Sequence, residues 1–98
     1  MKKYAVLYCP DLLGISYKER EFVGESDNIH GAQIIKGKFI KSYPYEYKHC
    51  IIVDTNSDDG NHAVIMNKKG ERSRTVISMQ SVFNAYRKAG KLKEEDFK

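Results

Sequence analysis

The chain has 98 residues, 41% of them hydrophobic and 31% charged, with a formal net charge of +4. That length suits one domain with a single modest core, and that balance excludes a disordered chain. No apolar run approaches the ~18 residues of a membrane-spanning helix.

The charge is unevenly placed. Between residues 66 and 93 lie eight basic residues and one acid, Glu71, so that stretch carries +7 and the remainder carries −3. Clustered positive charge draws anionic partners, nucleic acid first among them. Lys outnumbers Arg 13 to 4. With plentiful Ile, Tyr and Asn, this reads as AT-rich coding, of the kind found in bacterial and phage genomes.

In chain order, residues 3–9 are rich in Tyr, Val and Leu and stop at Pro10, as a strand does. Lys2 and Lys3 precede that run, but it is short and bulky Tyr8 stands before Cys9. A strand is therefore expected in place of a secretion signal, and a cytoplasmic location with it. Asp11 and Gly14 mark a turn. Residues 18–24 read as a short edge strand, and residues 25–31 as a polar loop.

Residues 32–43 read as a long strand in which Ile34, Ile35, Phe39 and Ile40 change phase. Gly37 sits at the slip, where a β-bulge would reconcile the halves. Lys36 and Lys38 share a face, and without a bulge Lys41 falls on the other. Residues 47–54 read as a strand apolar on both faces at Cys50-Ile51-Ile52-Val53, hence central and covered on both sides. A turn at residues 57–60 leads to a strand at 62–66.

Asn67-Lys68-Lys69-Gly70 is a hairpin signal, with Gly70 in the left-handed conformation and residues 72–77 returning. Ser78 caps a helix over residues 79–89. Its Met79, Val82, Phe83, Tyr86 and Ala89 share one face, and Gly90 ends it. The expected fold class is α+β: an antiparallel sheet or small partly closed barrel of five to six strands, with one C-terminal helix.

The candidate binding residues follow from the charge. Lys68 and Lys69 stand at the hairpin tip, and Arg72 and Arg74 share a strand face. Arg pairs with phosphate in bidentate fashion and Lys acts as a point charge. Arg87 and Lys88 add charge at the helix end, where the helix dipole alone also favours cations. Tyr43, Tyr45 and Tyr47 alternate around Pro44 and offer rings for base stacking or a protein interface.

The expected partner is nucleic acid or an anionic protein surface. The expected function is a non-enzymatic binding protein, an accessory factor or a phage-borne inhibitor of host machinery. Two alternatives stand beside it. One is a metal-independent ribonuclease using His62 as base with Arg72 or Arg74 stabilising charge. The other is a protein-interaction module built on the tyrosine segment. His30, His49, Cys9, Cys50, Asp54, Asp58 and Asp59 form no zinc or calcium spacing. No phosphate-cradling glycine loop or nucleophile elbow is present, so no cofactor or metal is expected.

Overall fold

The computed structural model describes residues 1–9, 20–43 and 50–91. The element order is β1 (Tyr4–Tyr8), β2 (Glu21–Ser26), α1 (Ile29–Ser42), β3 (Cys50–Asp54), β4 (His62–Met66), β5 (Arg72–Ser78) and α2 (Met79–Lys88). The strands form an open antiparallel sheet in the order β2-β1-β3-β4-β5. The α+β architecture, the edge position of β2, the central position of β3 and the C-terminal helix are as the sequence implies.

β3 explains the layers. Val53 packs with Ala5, Leu7, Ala63 and the α2 residues Met79, Val82, Ala85 and Tyr86 on one face. Cys50 and Ile52 pack with Val6, Met66 and Ala32 of α1 on the other. Each fully buried Val or Leu contributes about 1.5–3 kcal/mol of apolar transfer, so exposing either face would be costly.

The strand expected at residues 32–43 is a helix, and no bulge occurs at Gly37. Ile29, Ala32, Ile35 and Phe39 recur at three- and four-residue spacing and turn together onto the sheet. Asn28 begins the helix from inside the expected loop, its side-chain oxygen accepting from the Gly31 N–H at 2.7 Å. Lys38 and Lys41 therefore lie one turn apart, and Lys36 lies away from them on the flank facing β3.

α2 begins as expected, with the Ser78 hydroxyl accepting from the Gln80 N–H at 3.1 Å. It ends with the Lys91 N–H donating to Tyr86 O at 2.9 Å and the Gly90 N–H to Arg87 O at 3.0 Å, which satisfies carbonyls of the last turn. Ala89, expected on the buried face, is exposed at the C-cap. Buried Tyr86 stacks edge-on against Phe22 at 4.8 Å and donates to Glu25 at 2.9 Å, locking α2 to β2. Burial, with the bond to Glu25, pushes its phenol far above the usual tyrosine range.

The β4–β5 turn is the expected hairpin. Asn67 O accepts from the Gly70 N–H at 3.0 Å, and Gly70 has φ +81°, which L side chains resist.

α1 approaches β2 closely. A Cβ added to Gly24 would lie 2.8 Å from Ile35 Cγ2. Gly24→Ala should therefore destabilise the fold by about 1–3 kcal/mol through overpacking, read as a lower urea midpoint. An Ile35→Val background should recover part of that loss.

Candidate functional site

Strand register defines two ends of the sheet. Tyr8 pairs with Glu21 and Cys50 at one end, and Tyr4 pairs with Ser26 and Asp54 at the other. The β3–β4 turn lies at the Tyr4 end and the β4–β5 turn at the Tyr8 end.

Both helices leave strands that finish at the Tyr4 end, so both run toward the Tyr8 end. Phe39 of α1 stacks on Tyr8 at 4.9 Å. The last turn of α2 lies beside Glu21 and Phe22 of β2, and Lys91 Nζ sits 5.9 Å from the Phe22 ring centre. The Tyr8 end therefore receives Lys38 and Lys41 of α1 on one face and Arg87, Lys88 and Lys91 of α2 on the other, while the hairpin of Lys68 and Lys69 leans onto the first half of α1, with Gly70 against Ile29 and Gln33 and Lys68 lining one cleft with Lys36. The Tyr4 end carries Glu25, Asp27, Asp54, Asp58 and Asp59 beside Lys2 and Lys3.

Of the expected binding residues, Lys68, Lys69, Arg87 and Lys88 are exposed at one end, though on two faces: the helix pair α1 and α2 flanks the sheet from opposite sides. Arg74 is exposed on β5. Arg72 turns away from them. Its guanidinium bonds the Asp58 carboxylate and lies 3.9 Å from Asp54, a side chain only 7% exposed. Arg72 thus neutralises a buried acid.

Tyr43 is 56% exposed. Its ring rests on Phe39 at 5.1 Å, beside Val23, Ile35, Lys38 and Ser42. It is a presented ring, not a core residue. Tyr45, Tyr47, Lys48, His49, Leu92, Lys93, Phe97 and the turn at Asp11 and Gly14 lie outside the described residues. The α1 lysines lie on a helix and not on the expected strand. The helical spacing of Ile29, Ala32, Ile35 and Phe39, with Asn28 before them, was the signal that would have placed them correctly.

His62 and Arg72 do not pair with each other. His62 stands opposite Ser78, and Arg72 opposite Met66. They bind neighbouring acids of one turn: His62 Nδ1 is 2.8 Å from Asp59, and Arg72 holds Asp58. The second Asp59 oxygen accepts from the N–H groups of Asn61 and His62, each at 2.8 Å, and from Ser57 Oγ at 3.0 Å. The bond to His62, then those backbone N–H groups, hold the Asp59 carboxyl well below the usual carboxylate range.

Both cysteines are free and buried. Burial pushes the Cys50 thiol up to about 11, partly offset by the Lys36 ammonium, so it is a packing thiol, not a nucleophile. Among the described residues, no group of three His, Cys, Asp or Glu could hold a metal ion, and no helix is long and apolar enough to cross a membrane.

No family model matches the chain, and no curated protein or solved structure is similar to it.

The Asp59 contacts imply a defined pH response. A carboxyl depressed in the fold stabilises it above its unfolded value near ~4, and that contribution fades as pH falls through the folded value. Stability of the intact chain should therefore fall below about pH 4. Asp59→Asn should flatten that acid limb, as measured by urea midpoints across pH.

Proposed function

We propose that this is a small binding protein that holds single-stranded nucleic acid, or the anionic face of a nucleic-acid-processing protein, at the Tyr8 end. The supporting observation is that lysines of two chain segments, Lys36 of α1 and Lys68 of the hairpin, line one cleft, with Tyr43 exposed beside Lys38 on the same helix. Lysines act as phosphate-seeking point charges, and an exposed ring gives a sequence-tolerant stacking platform. A ring presented beside a cation, Tyr43 next to Lys38, suits a splayed strand better than a duplex groove. Two free thiols fit a reducing cytoplasm, and an inhibitor of host nucleic-acid machinery is one role such a surface would serve.

Fluorescence anisotropy with labelled oligouridylate tests this reading. Affinity should fall linearly in log–log salt titration, and Lys68→Ala and Lys69→Ala should each lower the slope by about one. Tyr43→Ala should cost about 1–3 kcal/mol of binding, while Tyr43→Phe retains it. Salt-independent or undetectable binding would remove nucleic acid as the partner.

The Asp59–His62 pair favours a second reading, a metal-independent ribonuclease. Asp59 orients the imidazole through Nδ1 and leaves Nε2 to accept a 2′-hydroxyl proton. Under this reading the protein cleaves RNA in EDTA, and His62→Ala abolishes cleavage while leaving oligonucleotide affinity intact. Full cleavage by the variant would exclude it.

A further inference from the structure

α1 covers only part of its sheet face. It packs on β1, β2 and β3, and the β4–β5 hairpin leans toward it from the far side. There Gly70 comes so close that an added Cβ would lie 3.0 Å from Ile29 and Gln33. Between helix and hairpin a cleft of about 760 Å³ remains, within the size range of small-molecule sites. Its floor is Cys50, Ile51 and Ile52, and Ile40 adds an apolar wall. Lys36 stands on the helix side and Lys68 on the hairpin side, with the Gln33 and Asn67 amides beside them. Among the described lining residues there is no carboxylate.

Gly37 supplies an independent observation. It lies inside α1, where glycine is destabilising relative to alanine, and it lines the cleft. A Cβ built on it meets nothing within 4 Å, so internal packing does not require the glycine. Its bare backbone leaves the cleft wall open to close approach.

We infer that this cleft binds a small amphiphilic anion, an apolar body with one carboxylate, sulfonate or phosphate head. The apolar body lies on Ile40 and Ile52 and against Gly37. The head sits between Lys36 and Lys68, which line opposite sides of the cleft with no carboxylate among its described lining residues. The occupant is charged because two lysines line the cleft, and apolar because the floor offers little to hydrogen-bond. This site does not rest on the nucleic-acid reading.

The probe is anilinonaphthalene sulfonate, an apolar fluorescent anion, titrated into the intact chain. Saturable one-to-one binding is expected, displaced by decanoate. Gly37→Leu, which fills the wall, should weaken it about tenfold or more. Lys36→Met with Lys68→Met should weaken it severalfold. Gly37→Ala should raise the urea midpoint, since it relieves the helix penalty without a clash. Unchanged probe affinity in a folded Gly37→Leu variant would overturn the site, as would unsaturable binding. A lowered midpoint for Gly37→Ala would show that packing requires the glycine and would remove the argument for an open wall.

Discussion

The two-sided apolarity of β3 is the constraint from which the rest follows. Ile52 and Cys50 point to one side and Val53 to the other, all buried. An antiparallel sheet can leave one face to water, but a strand like this cannot, so each face needs its own helix. The chain meets that need by sending one helix from β2 and one from β5. Both of those strands finish at the Tyr4 end. A helix that leaves there and packs back over the sheet must run toward the Tyr8 end. Covering β3 twice therefore carries both helix C-termini, and the cations near them, to the same end of the sheet on its two faces.

The helix dipole accounts for part of that charge. Arg87 and Lys88 lie in the last turn of α2, and Lys41 lies in the last turn of α1, where cations favour the partly negative end. This local explanation fails for Lys68 and Lys69, which occupy a turn, and for Lys36, which lies mid-helix over the cleft. The surplus beyond what the dipoles favour is what the proposed binding role would account for. The opposite end behaves differently. There, Asp54, Asp58 and Asp59 are engaged by Arg72, His62 and backbone N–H groups, so its charges are spent inside the fold.

Much of the sheet was legible because its signals are local. Pro10 after the first strand, Asn67 to Gly70 at the hairpin, Ser78 before α2 and Gly90 after it each act within a few residues. The double-faced run at Cys50 placed β3 at the centre without any partner being known. α1 was misread because its signals compete. Ile34, Ile35 and Ile40 are β-branched, and Gly31 and Gly37 weaken a helix. The sheet decided the outcome, since only a helix turns Ile29, Ala32, Ile35 and Phe39 together onto Val6 and Ile52. Arg72 and Arg74 were expected to share a face, on an assumption of unbroken alternation. The register between β4 and β5 shifts between Val64 and Met66, and Arg72 is drawn off to acids that precede it by many residues, a pairing that no short-range pattern records.

The polarity of the molecule also weighs the two functional readings against each other. A ribonuclease must seat a phosphodiester beside His62. That imidazole is bound to Asp59, in the turn that also holds Asp58, and Arg72 is already bound to Asp58 and Asp54. Phosphate approaching there meets like charge, while phosphate approaching the Tyr8 end meets lysines. Electrostatic steering would deliver RNA to the end of the sheet away from the candidate base. Binding and cleavage at a single site are then in conflict, and the arrangement favours a protein that holds an anionic strand over one that cuts it.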